Sequence, residues 1–358
     1  MLRIDRFAMD FDDMIITRPE HQVPLARAAQ IPPDVLDRAS GSMLGMACGD
    51  ALGVPYEYGP PPQGDASMLG GGLGDYAPGE WSDDTQMAVC IARVAATGVD
   101  LISPGGLDAV AAAFESWLDD QPADIGVQTQ TVLERANLLQ GRPAPRLIFA
   151  ARALHKETGR TAGNGALMRT APVALASLAD RWRVAIGARA IAELTHADQL
   201  AGDSCVLWSE AVRVATLEGR FDLQSGLDLL PVEQRSTWAE RIRVAEEPEA
   251  GLGLRDNGYT VTALQAAWHS IRVTEQDGID ASAHIRDALQ AAVRIGGDTD
   301  TVAAIAGSLL GARWGASAIP GQWAALVHGW PGLRGDDLVD LARRIVLSGE
   351  PEIDHQPQ

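Results

Sequence analysis

Two short stretches carry the residue types that do chemistry. Gly296-Gly297-Asp298-Thr299-Asp300-Thr301 sets two carboxylates two residues apart, among hydroxyls, behind a Gly-Gly hinge. Ser82-Asp83-Asp84-Thr85 sets two adjacent carboxylates between two hydroxyls. Each opens an apolar helical pattern, VAAIAGSLLGARWG in one case and QMAVCIARVAA in the other. Carboxylate and hydroxyl oxygens are hard ligands of the kind that hold Mg²⁺ or Mn²⁺. The competing reading is helix capping, for which Asp, Ser and Thr are all favoured. Ser82 then reads as an N-cap, with Asp83 and Asp84 in the first turn. Adjacent helical residues point about 100° apart, so capping accounts for one of that pair more easily than for both. If the two motifs share a site, four close carboxylates raise one another's pKa unless a cation sits between them.

The elements around these motifs read as helices. From about Val35 a helical pattern places Gly41, Gly45, Gly49 and Gly53 on one face, where a neighbouring backbone can come close. Glycine costs a helix roughly 1 kcal/mol against alanine, so such a stripe needs a reason, and tight packing supplies one. The pattern ends at Pro55-Tyr56-Glu57-Tyr58, which leaves Glu57 at a helix-to-loop exit, either as a solvated side chain or as part of a site. Residues 60–81 are rich in Gly and Pro and form a long loop that runs straight into Ser82; loops of that length are often functional. Asp124 precedes another helical pattern and could cap it. Gly163-Asn164-Gly165 before Ala166, Leu167, Met168 and Arg169 exposes backbone N–H groups suited to a phosphate, or is a plain turn. It is neither a Walker loop nor a Rossmann fingerprint, because no strand precedes it. His196 falls near the end of a helical pattern at about 183–197 and reads as structural or as a C-terminal dipole partner.

Helical patterns continue at about 200–217, 260–272, 281–294 and 336–348, while 218–256 is more charged and reads as peripheral. No sustained β alternation and no internal repeat is found, so the expected fold is all-α in one domain over 34–349. Residues 1–33, with Pro19, Pro24, Pro32 and Pro33, are expected to be a partly ordered extension, and 350–358 a loose tail. The 358 residues are 46% hydrophobic and 22% charged, with a net charge of −19. That balance argues against nucleic-acid or anionic-membrane partners. Cys48, Cys90 and Cys205 lie in apolar patterns without metal-type spacing and are expected to be buried in a reducing compartment. The N-terminus has no signal-peptide core, and no apolar run reaches the ~18 residues of a membrane span. The protein is expected to be cytoplasmic.

Taken in order, the motifs resemble the ADP-ribosylglycohydrolase family over about Ser40 to Trp323. The matching pieces are G-x-x-x-G-D-A-L-G at 45–53, W-S-D-D-T at 81–85, D-I-G at 124–126, G-N-G-A-L-M-R at 163–169, T-H at 195–196 and G-G-D-T-D-T-V-A-A-I-A-G at 296–307. The resemblance implies an orthogonal multi-helix bundle with two divalent cations, Mg²⁺ or Mn²⁺. It implies Ser82, Asp83, Asp84, Asp298, Asp300 and Thr301 as ligands, with Asp300 bridging; Ser82 stands where the family often has Thr. Asp83 or Asp84 would orient or activate water, and Glu57 or Asp124 would donate a proton or orient the substrate. Gly163, Asn164, Gly165 and Met168 would line the ADP-ribose pocket, with His196 positioning ribose or diphosphate. The implied activity is hydrolysis of ADP-ribose from a protein side chain, arginine first and serine second, with free ADP-ribose as product. Another ADP-ribose conjugate, such as O-acetyl-ADP-ribose or ADP-ribosylated nucleic acid, or a non-catalytic ADP-ribose binder, is the alternative. A monomer is expected.

Overall fold

The structure, a computed structural model, describes residues 31–348. The expected extension over 1–33 lies outside them except for its last residues, and the expected tail lies wholly outside. Among the described residues there are fourteen α-helices and a single two-stranded pair at His328–Gly329 and Leu333–Arg334, so the fold is all-α as expected.

Two helices form the axis of the bundle, α1 (Pro33–Gly53) and α12 (Thr299–Trp314). Every residue of α12 from Thr299 to Ala312 is buried, as is every residue of α1 from Ala39 to Gly53. A helix apolar on all sides belongs at the centre of a core, and α12 packs against α1, α8 (Gln199–Glu218), α10 (Thr260–Thr274) and α11 (Ala281–Ile295). The glycine stripe makes the α1–α12 contact. A Cβ on Gly41, Gly45 or Gly49 would run into the backbone at Gly311, Gly307 or Ala303, and a Cβ on Gly307 or Gly311 would run into the backbone at Gly45 or Gly41. At the end of the stripe Gly53 lies against the backbone of Asp300. The tight packing read from the sequence therefore reaches the acidic motif itself.

The remaining elements close around this pair. Helix α2 (Asp83–Ala95) packs on α3 (Pro104–Asp119), α3 on α5 (Pro143–Thr158), and α4 (Val127–Asn137) on α5. The charged stretch 218–256 contains a further helix, α9 (Val232–Ala245), which packs on α10. The Gly-Asn-Gly turn does not open a long helix. It leads into a short 3₁₀ segment, Asn164–Arg169, and a five-residue helix, α6 (Ala171–Leu175). Cys48, Cys90 and Cys205 are free and buried.

Candidate metal centre

Capping is how this chain starts several of its helices. Ser103 accepts from Gly106 N–H at the start of α3, Asp198 from Leu200 N–H at α8 and Asp280 from Ala283 N–H at α11. The two acidic starts behave differently. Neither Ser82 at α2 nor Asp298 at α12 makes a side-chain capping bond. The start of α2 is capped from another helix. Asp50 of α1 accepts from Ser82 N–H (2.9 Å), Thr85 N–H (3.0 Å) and the Thr85 hydroxyl (2.6 Å). The Ser82 hydroxyl donates to Asp84 Oδ2 (3.1 Å). Asp124 does not cap α4, whose N-cap is Gly126. Capping therefore leaves Asp83, Asp84, Asp298 and Asp300 unexplained.

These side chains converge. Asp50, Asp84 and Asp300 offer carboxylate oxygens within 4.8 Å of one another, and so do Glu57, Asp298 and Asp300. Asp300 belongs to both groups. Asp50, Asp84 and Asp300 form a buried floor, and the half-buried Glu57 and Asp124 face outward. Asp83 lies in neither group; the carboxylates that bear on it most are Asp124 and Asp50, and it accepts the Gly126 N–H. The ion pairs of the described residues lie elsewhere, as at Arg146–Glu115 and Arg189–Asp203. Burial, then neighbouring carboxylates, drives Glu57, Asp83, Asp84 and Asp300 toward protonation. Asp83 is pushed up to about 8 and Glu57 to about 9. Asp84 and Asp300 are pushed well above the usual carboxylate range, although the Thr301 hydroxyl on Asp84 opposes the shift. Asp84 Oδ1 is buried with no hydrogen-bond partner among the described residues. An orphaned carboxylate oxygen inside a ring of like charges is costly unless a cation meets it. The donor set is all oxygen and fits a hard divalent cation.

A second layer fixes Asp298. Its carboxylate accepts from Asn164 Nδ2 (2.8 Å) and the Tyr58 hydroxyl (3.2 Å), and its N–H donates to Asn257 Oδ1 (2.8 Å). Asn257 Nδ2 in turn donates to Gly296 O (2.9 Å), and Tyr58 N–H to Gly297 O (2.7 Å). Tyr58 holds φ at +46°, a cost carried beside Glu57. Asn164 thus joins the Gly-Asn-Gly turn to the acidic centre. His196 packs on the same turn, with Nε2 3.3 Å and 3.2 Å from where a Cβ on Gly163 or Gly165 would sit. Met168 is buried in the 3₁₀ segment.

Sequence reasoning missed Asp50, Tyr58 and Asn257 as members of this arrangement. Asp50 carries a signal, since a carboxylate inside an apolar helix needs buried donors. Asn257 sits at the edge of a stretch that reads as peripheral, and no local pattern marks it.

An all-α bundle with an acidic, oxygen-lined cluster between two helix starts defines the class, and that cluster could hold a metal ion. The family profile of ADP-ribosylglycohydrolase matches residues 31–354, and the chain belongs to that family. It is 31% identical to the ADP-ribosylarginine hydrolase Tri1 of Pseudomonas putida (strain GB-1), over 84% of this chain and 77% of the relative. It is 30% identical to the ADP-ribosyl-[dinitrogen reductase] glycohydrolase of Rhodospirillum rubrum, over 81% of this chain and 90% of the relative. A solved structure described as an ADP-ribosylglycohydrolase-related protein complex superposes with a TM-score of 0.65 at 26% identity, covering 89% of this chain and all of that one. Among the described residues no helix is long and apolar enough to cross a membrane.

Proposed function

We propose that this protein removes ADP-ribose from an arginine side chain of a modified protein, releasing free ADP-ribose. The observation that carries the proposal is the pair of carboxylate groups sharing Asp300, at the head of a buried helix, in a chain similar to two hydrolases named for such substrates. Asp84, Asp298 and Asp300, with Glu57 and the Ser82 and Thr301 hydroxyls, are the groups that would hold two cations, Mg²⁺ or Mn²⁺. When bound, these supply Lewis-acid polarisation of the oxygens they meet.

The chain's own residues supply the rest. Asp83, outside both carboxylate groups but beside Asp84 at the head of α2, is placed to take and return a proton. In the reaction a water oxygen bonds to C1 of the distal ribose and the C1–N bond breaks, with oxocarbenium character at C1 between the two events. The electron pair leaves with the guanidine, which takes up the proton the water releases through Asp83. Asp124, half-buried at the rim, pairs with the arginine guanidinium, a match of planar donor fork and carboxylate. Glu57 belongs to the Asp298–Asp300 group, which favours ligation over proton donation for it. The Gly163–Gly165 turn and His196 receive the ADP-ribose.

The test is release of free ADP-ribose from ADP-ribosyl-arginine and ADP-ribosyl-serine peptides with Mg²⁺, with Mn²⁺ and with EDTA. Metal-dependent release from the arginine peptide supports the reading. Release from the serine peptide alone replaces the linkage, and release in EDTA removes the cations from the account.

A further inference from the structure

Arg169 ends the Gly-Asn-Gly-Ala-Leu-Met-Arg run and has no part in the chemistry above. It is fully buried and pairs with no carboxylate among the described residues. Its Nη2 donates to Thr195 Oγ1 (2.7 Å), its Nη1 lies on Met87 Sδ (3.3 Å), and its guanidinium stands 4.4 Å over the Phe114 ring. Burying an unpaired cation costs several kcal/mol, which one hydrogen bond and one aromatic face offset only in part. A charge retained at that cost calls for a role.

The role follows from Thr195. This residue is also fully buried. Its hydroxyl has one proton and two neighbours, Arg169 Nη2 and His196 Nδ1 (2.8 Å). Arg169 can only donate. If Nδ1 were protonated, the hydroxyl would accept twice and its own proton would have no acceptor. The satisfied arrangement runs one way, from Arg169 to Thr195 to His196: Nδ1 accepts, and the ring proton sits on Nε2. That nitrogen has no protein partner among the described residues and faces the turn at Gly163 and Gly165.

We propose that Arg169 and Thr195 are positioning residues that set His196 as a fixed Nε2–H donor, so that the subsite at Gly163 and Gly165 takes a hydrogen-bond acceptor oxygen and refuses a donor-only group. Burial and the Arg169 charge also push His196 down to about 3, so the ring stays neutral and cannot reverse its role by gaining a proton near pH 7. On the functional reading above, this orients the substrate. A phosphate or ribose oxygen belongs at the turn, and the guanidinium is sent to the acidic rim.

The test uses the full chain with ¹⁵N-labelled histidine. Long-range ¹H–¹⁵N spectra at pH 7 report the protonated nitrogen, and a His196→Gln spectrum assigns the signal. The expected result is Nε2–H in the wild type, a mixed or reversed tautomer in Thr195→Val, and restoration in Thr195→Ser. An Nδ1–H ring in the wild type, or an unchanged tautomer in Thr195→Val, overturns the relay. Equilibrium binding of ADP-ribose with Mg²⁺ is measured in parallel. Thr195→Val should weaken it about tenfold, the size of one lost hydrogen bond, and Thr195→Ser should recover it. Unchanged affinity beside a changed tautomer overturns the subsite assignment. A wild type that does not bind ADP-ribose overturns the functional reading, and the spectra then decide the relay separately.

Discussion

The carboxylate of Asp50 accepts both the backbone N–H and the hydroxyl of Thr85, at 3.0 Å and 2.6 Å, across 35 residues of chain. One helix thereby caps another from the side, and the natural caps of α2 are released to point into the site. Asp50→Ala should remove the cap and leave buried donors without partners. The expected loss is about 2–4 kcal/mol, a cap of ~1 plus the orphaned donors. Because α2 carries Asp83 and Asp84, Mg²⁺ affinity should fall in the same variant. Urea unfolding and calorimetric titration with Mg²⁺ check the two parts, and a stability loss with unchanged affinity would confine Asp50 to the fold.

Gly49 sits where α1 meets the backbone of Ala303 in α12. In an isolated helix Gly49→Ala gains roughly 1 kcal/mol from propensity. Here the added methyl meets main chain, which cannot rotate away, and overpacking costs about 1–3 kcal/mol or more. The clash wins, so the variant should melt lower than the wild type. An unchanged or higher melting temperature in thermal denaturation would show that the two helices have room to part.

The glycine spacing was readable because close approach demands glycine whatever the partner is. Which helix filled the stripe was not, since Gly307 and Gly311 lie far along the chain. The acidic motifs were readable for a similar reason: two carboxylates side by side exceed what a cap requires. Their supports were less so. Asp50, Tyr58 and Asn257 act through hydrogen bonds to residues remote in sequence, and a lone Asp or Asn carries no spacing to read. A long helix is expected to open after Gly163–Gly165. A 3₁₀ turn forms instead, and the glycines make room for His196.

His196 gives a pH prediction whose sign is fixed. Burial and the Arg169 charge hold its folded value at about 3, against 6.5 for the free side chain. The unfolded chain therefore takes a proton near pH 6.5 that the folded chain refuses. The contribution is fully favourable above pH 6.5 and is lost as pH falls, by up to about 1.4 kcal/mol per pH unit. The ring meets the Thr195 hydroxyl and the Gly163–Gly165 turn, with Arg169 and Gln128 bonded to Thr195 behind it, and none of these titrates in that window. In His196→Gln the slope of stability against pH between 6 and 4 should be shallower by one proton. Urea unfolding at several pH values measures it, and equal slopes would place the imidazole in water.

Asp300 and Asp83 should separate cation binding from chemistry. Asp300 is common to both carboxylate groups and is crowded by Glu57, Asp84 and Asp298. In EDTA at pH 8 Asp300→Asn relieves that repulsion, so the variant should melt above the wild type. With Mg²⁺ the order should reverse. A ligand at a hundredfold its Kd adds about 2.7 kcal/mol to the wild type and nothing to a protein that cannot hold it. Asp83→Asn is expected to keep the Mg²⁺-dependent rise and to lose turnover by about 10²–10⁴-fold, the size of a missing proton-transfer group. Melting curves with and without Mg²⁺, beside ADP-ribose release, give both readouts. If Asp83→Asn loses the Mg²⁺ response as completely as Asp300→Asn, Asp83 is a ligand first, and the proton must travel through Asp124.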